Sequence, residues 1–113
     1  MFRLIRIGSK YPIADKWCDL LVEHAEVTPK SFRCRGAREG PCNYAMNKNI
    51  EKLGIYAHPD MVLLFESKPG WNQSGGPEIL TFENHKGSGC NVLFNTGRVE
   101  FVTPKEVGKL KWK

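Results

Sequence analysis

Glu83-Asn84-His85-Lys86-Gly87-Ser88-Gly89-Cys90-Asn91-Val92-Leu93-Phe94-Asn95-Thr96-Gly97-Arg98-Val99-Glu100-Phe101-Val102 is the stretch that decides the fold. It opens as a polar, glycine-rich approach and turns apolar at Asn91 to Phe94. Asn95-Thr96-Gly97 interrupts, and Arg98 to Val102 resumes the extended pattern. A three-residue loop with glycine last is a common hairpin connection, because glycine takes the left-handed position that completes a bulge. The period of two puts Val92 and Phe94 on one face of the first strand and Val99 and Phe101 on one face of the second, with Arg98 and Glu100 outward. An isolated hairpin is marginal in water, so the rest of the chain must supply partners.

Met61-Val62-Leu63-Leu64-Phe65 is a continuous apolar run bounded by Pro59-Asp60 and Glu66-Ser67. That pattern predicts a central strand covered on both faces. Asn43 to Asn47 reads as a short strand or as a helical turn into Ile50-Glu51-Lys52-Leu53, and Ile79 to Phe82 as a brief extended segment. Upstream, Ile13 to Glu26 has helical spacing. Ile13, Trp17, Leu20, Leu21 and His24 share one face, with Asp15, Lys16, Asp19, Glu23 and Glu26 elsewhere. Pro12 suits the first helical position and Val27-Thr28-Pro29 the end. Downstream, Thr103-Pro104-Lys105-Glu106 has the capping-box spacing of a short C-terminal helix, with Val107, Leu110 and Trp112 inward. Phe2 to Ile7 alternates loosely, as a short strand or extended arm, and Ser31 to Cys34 is a further short-strand candidate. The expected architecture is α+β: an antiparallel β-sheet packed against an N-terminal amphipathic helix, in one domain spanning 1–113.

A chain of 113 residues with 41% hydrophobic and 26% charged residues has the composition of a soluble globular domain with one core. The net charge of +5 permits salt-sensitive attraction to nucleic acid or anionic surfaces but specifies no partner. No apolar run reaches the length of a membrane span. Met1 to Lys10 lacks the apolar region of a signal peptide. Taken at face value the chain stays in the cytoplasm; as a piece of a longer exported protein it would be exported or periplasmic. Of the four cysteines, Cys34 and Cys42 are close enough in sequence for a disulfide, and the favoured reading is four reduced thiols with Cys18 and Cys90 as small buried residues. No Cys-x2-Cys pair occurs and the three histidines are dispersed, so no metal site is expected.

Several linked phrases resemble a family. They are His85, Gly87, Gly89, Asn91-Val92-Leu93-Phe94, Gly97 and Val99-Glu100-Phe101, with Phe32-Arg33-Cys34, Asn43-Tyr44-Ala45-Met46-Asn47, Phe65-Glu66-Ser67, Gly70-Trp71-Asn72 and Lys16-Trp17-Cys18-Asp19. Together they resemble the C-terminal domain of bacterial prepilin-type, pseudopilin-like proteins that end in a His-x9-Asp-Gly motif. The chain departs from that motif: Thr96 stands where the family has aspartate, and the interval from His85 is one residue longer. The family's N-terminal methylation motif and long hydrophobic helix are absent from this sequence. The resemblance implies a pilin-head-like fold, an antiparallel sheet packed on an α-helix.

Among candidate sites, His85, Glu66 and Asn84 form a potential polar cluster beside the glycine-rich loop. As a ligand-binding or hydrolytic site it would use His85 and Glu66; as a structural feature it would latch the loop. The latch is favoured, because one histidine and one glutamate without a third partner are not a catalytic set. Cys90 reads as a core residue rather than a nucleophile for His85. Gly87-Ser88-Gly89 lacks the strand-to-helix context of a phosphate loop. Arg33, Arg35 and Arg38, with Lys30 and Tyr44 nearby, are a basic patch; a solvated loop is favoured over a nucleic-acid module. Trp71 is a lid over the core or a recognition residue. No catalytic residue and no cofactor is assigned. The functional expectation is a non-enzymatic pilin-head-like domain with an interaction or assembly role, its partner another protein or a second copy of itself.

Overall fold

The computed structural model describes residues 11–24, 32, 42–50 and 56–113. The expected segment at Phe2–Ile7, all of the Ser31–Cys34 strand candidate but Phe32, and the basic residues Arg33, Arg35 and Arg38 lie outside the described residues.

Among the described residues five strands form one mixed sheet: β1 Tyr44–Asn47, β2 Val62–Glu66, β3 Ser74–Gly75, β4 Cys90–Phe94 and β5 Val99–Val102. Their spatial order is β3-β1-β2-β4-β5. β1, β2, β4 and β5 pair antiparallel; the two-residue β3 adds to β1 in parallel. The sheet is therefore mixed rather than wholly antiparallel. Among the described residues one α-helix, α1 (Trp17–His24), follows a 3-10 turn at Ala14–Lys16. A 3-10 turn at Val107–Lys109 stands where a C-terminal helix was expected. There the Glu106 carboxylate does accept from the Thr103 backbone N–H, at 3.2 Å, but the Thr103 hydroxyl donates to that same carboxylate instead of capping a following amide.

Strand alternation splits the core into two layers. Tyr44, Met46, Leu64 and Leu93 point to one face, where they meet Trp17, Cys18 and Leu21 of α1 together with Phe32, Ile50 and Met61. Ala45, Val62, Phe65, Cys90, Val92, Phe94 and Val102 point to the other, covered by Leu80, Phe82, Val107, Leu110 and Trp112. Every residue of β2 is buried, which is why Val62 to Phe65 is a continuous apolar run. Its register to β4 shifts between Val62 and Leu64, so Leu63 and Leu64 both join the helix-side layer. Trp17 has no exposed surface; truncating a residue of that size costs about 3–5 kcal/mol.

At the hairpin, the Gly97 N–H donates to the Phe94 carbonyl at 2.8 Å and Gly97 sits at φ +92. The Phe94 N–H donates to the Arg98 carbonyl at 2.9 Å. The register then places Leu93 opposite Val99 and Asn91 opposite Phe101. Val99 and Phe101 thus continue the helix-side face, yet they are 43% and 49% exposed. Arg98 and Glu100 turn to the opposite face, beside Val92 and Phe94. The sharing of a face within β5 matches the sequence pattern, but apolar character does not mean burial on this edge strand. Ile13, expected on the buried stripe of the helix, is 54% exposed, because the 3-10 turn advances the chain at about three residues per turn and moves it out of phase with Trp17 and Leu21.

Candidate functional site

Glu66 ends β2 on the helix side of the sheet, in a row with Tyr44 on β1 and, through the β2–β4 and β4–β5 registers, Asn91 and Phe101. Its side chain has no exposed surface. A buried carboxylate is costly unless every acceptor position meets a donor. Here Oε1 accepts the Asn91 backbone N–H at 2.9 Å and faces Nε2 of His85 at 2.9 Å, while Oε2 accepts the Asn84 amide at 3.2 Å. A carboxylate oxygen carries no hydrogen, so in this pair Nε2–H of His85 is the donor. A 3-10 turn at Glu83–His85 brings Asn84 and His85 over the carboxylate. The His85 ring meets the edge-strand residue Phe101 in an edge-to-face contact, centroids 5.2 Å apart. Glu66, Asn84 and His85 are therefore brought together, and Asn91 and Phe101 complete the group.

Cys90 opens β4 and is fully buried. Burial, reinforced by the charge of Glu66, pushes its thiol up to about 12. A thiol so far from ionisation is a poor nucleophile.

Trp71 is partly buried. Its indole N–H donates to Asp19 Oδ1 at 2.7 Å, and its ring packs edge-on against Phe32 with centroids 4.9 Å apart. The adjacent Asn72 adopts φ +58, a left-handed conformation that asparagine tolerates better than most residues. That turn aims Oδ1 at the first turn of α1, where it accepts the N–H groups of Cys18 at 2.8 Å and Asp19 at 3.2 Å. The amide of Asn72 donates to Asp19 Oδ2 at 2.6 Å. These donors hold the Asp19 carboxyl below the usual carboxylate range, the Trp71 indole having the largest effect and the Asn72 amide the next. The helix cap is thus supplied from far downstream. Asp19 and Asn72 were not singled out by sequence pattern. The only local signal for them is an asparagine after Gly70-Trp71, a setting that favours left-handed backbone.

Comparison with protein-family models, curated proteins and solved structures returns no match for this chain.

On the opposite face a cleft of about 280 Å³ is lined by Asp60, Arg98, Glu100, Glu106, Lys109 and Lys111 among others. The Arg98 guanidinium lies over the Phe94 ring at 4.6 Å and within 3.4 Å of both Asp60 and Glu100. Three acids and three bases line it, so the charges balance in number. None of Glu66, Asn84, His85 or Trp71 lines this cleft. Among the described residues no group of three or more His, Cys, Asp or Glu side chains has metal-binding geometry, and no helix is long and apolar enough to cross a membrane.

Proposed function

We propose that this domain is a non-enzymatic, pilin-head-like interaction module. The observation that carries this reading is the contrast between its polar cluster and its sheet edge. Glu66 is sealed from solvent with both oxygens engaged, while Val99 and Phe101 on edge strand β5 stand half in solvent. A general base or nucleophile needs access to substrate; a latch needs none. Among the described residues β5 is the outer strand of the sheet, and an edge strand with exposed apolar side chains is a natural template for another chain. The sequence resemblance to prepilin-type proteins favours the same reading. Fold resemblance does not transmit function by itself, so the weight rests on the edge.

The test is concentration-dependent association by sedimentation velocity, with β5 amides followed by NMR. The expected result is weak self-association that perturbs β5 first and that Phe101→Glu abolishes. A chain that stays monomeric with unshifted β5 amides refutes self-association. Turnover of any substrate that depends on Glu66 and His85 overturns the non-enzymatic reading.

A further inference from the structure

The thiols of Cys18 and Cys42 lie 3.9 Å apart, sulfur to sulfur, and both residues are fully buried. They come from different elements: Cys18 from the first turn of α1, Cys42 from the segment that leads into β1. Each sulfur is already positioned by the backbone around it. The Asn72 N–H donates to the Cys18 sulfur at 3.3 Å, and the Tyr44 N–H donates to the Cys42 sulfur at 3.4 Å. A disulfide needs about 2.05 Å between sulfurs, so closure requires each side chain to move by roughly 1 Å.

From this juxtaposition we propose that Cys18 and Cys42 form a disulfide when the chain folds in the presence of a small-molecule disulfide, and that this bond fastens α1 to the sheet. The exchange is balanced as follows. The Cys42 thiolate attacks one sulfur of oxidised glutathione, forming a mixed disulfide and expelling one glutathione thiolate. The Cys18 thiolate then attacks the Cys42 sulfur and expels the second. Two protein thiols are oxidised, two glutathione thiols are produced, and the protons lost by the cysteines are taken up by the glutathione thiolates. This pairing differs from the Cys34–Cys42 bridge that sequence proximity suggests. Among the described residues the thiol facing Cys42 is Cys18.

The test refolds the reduced full chain in a glutathione redox buffer, then alkylates and digests it with trypsin. Each cysteine falls in its own tryptic peptide: Cys18 in 17–30, Cys34 in 34–35, Cys42 in 39–48 and Cys90 in 87–98. The expected product joins 17–30 to 39–48 and is lighter than their sum by two hydrogens. With the cysteines 24 positions apart in sequence, the loop-closure argument raises the melting temperature on the order of 10 °C over the reduced chain. Dithiothreitol reverses the rise, Cys34→Ser and Cys90→Ala keep it, and Cys18→Ala or Cys42→Ala abolishes it. A 34–35 to 39–48 link, recovery of Cys18 and Cys42 fully alkylated, or a linked chain that melts no higher than the reduced one overturns the proposal.

Discussion

Replacing His85 by alanine tests whether the Glu66 cluster is a latch. The variant removes the Nε2–H that lies 2.9 Å from Oε1 of a carboxylate with no exposed surface. A hydrogen bond to a charged group contributes about 1.5–3 kcal/mol net. The His85 side chain is 26% exposed, so water refills part of the vacated position and the lower half of that range applies. The edge-to-face contact with Phe101 adds about 0.5–1 kcal/mol. The expected loss is about 2–3 kcal/mol, a fall in melting temperature of roughly 8–12 °C for a chain of this size. Urea melts followed by tryptophan fluorescence and by circular dichroism measure it. Glu66→Gln completes a double-mutant cycle: the amide keeps Oε1 for Asn91 and His85, and Asn84 can turn its own oxygen toward the new NH2, so shape is preserved while charge assistance is lost. A coupling of about 1–2 kcal/mol between positions 66 and 85 is expected. Additive variants, or a His85→Ala chain within about 0.5 kcal/mol of the wild type, refute the latch.

The remaining expectations concern the loops. Asn72→Gly keeps the left-handed backbone but deletes the distant cap of α1, for a loss of about 1 kcal/mol in urea melts; Asn72→Ala adds about 1 kcal/mol of backbone strain, so the alanine variant is the weaker. Asp19, with its folded-state pKa depressed, contributes stability that is present above its unfolded value of about 3.9 and is lost as pH falls through the lower folded value. Asp19→Asn therefore flattens the acid limb of a melting-temperature profile below about pH 4, and parallel wild-type and variant profiles refute the assignment. At Gly89 an added Cβ would lie 2.5 Å from the Val102 carbonyl oxygen; Gly89→Ala is expected to cost more than Gly97→Ala, whose φ of +92 carries only the left-handed strain of about 1 kcal/mol and whose Cβ meets nothing within 4 Å. Equal urea midpoints for the two glycine variants refute that ranking.

The strands were legible where local pattern and burial agree. The apolar run at Val62–Phe65 and the turn at Asn95-Thr96-Gly97 each specify a backbone without help from distant residues. The face of β5 was less legible, although the loop length holds the answer. A three-residue loop pairs Phe94 with Arg98, and therefore Leu93 with Val99 and Val92 with Glu100; Arg98 and Glu100 do stand outward, at 46% and 51% exposed, but Val99 and Phe101 on the other face are exposed as well. Glu66 and His85 could be matched as a pair because a carboxylate at the end of a buried strand demands a donor. Asn47, Asn72 and Asn95 could not be matched. Their partners lie far along the chain, and a side-chain amide that bonds a remote carbonyl or amide leaves no periodicity behind.

Those asparagines explain how so much irregular chain keeps one path. Asn47 is fully buried between β2 and the C-terminal segment, its amide donating to the Val62 carbonyl at 2.8 Å and the Trp112 carbonyl at 3.0 Å. Asn95 donates to the Ala57 carbonyl at 2.7 Å and accepts from the Tyr11 hydroxyl. With Met61 bridged to Lys111, these contacts fasten the start of β2. At its other end Glu66 gathers His85, Asn84 and Asn91, the Ser67 N–H donates to the Asn43 carbonyl at 2.8 Å, and Ser67 bridges Leu80. Apolar burial is non-directional: it brings loops onto a sheet without fixing where each residue sits. A buried amide or carboxylate accepts only arrangements that satisfy it, because an unpaired polar group in the core costs about 1–3 kcal/mol. The central strand is thus clamped at both ends by polar groups whose alternatives are costly. The His85 latch belongs to that set, and it holds the glycine-rich loop against the strand edge on which the proposed interaction depends.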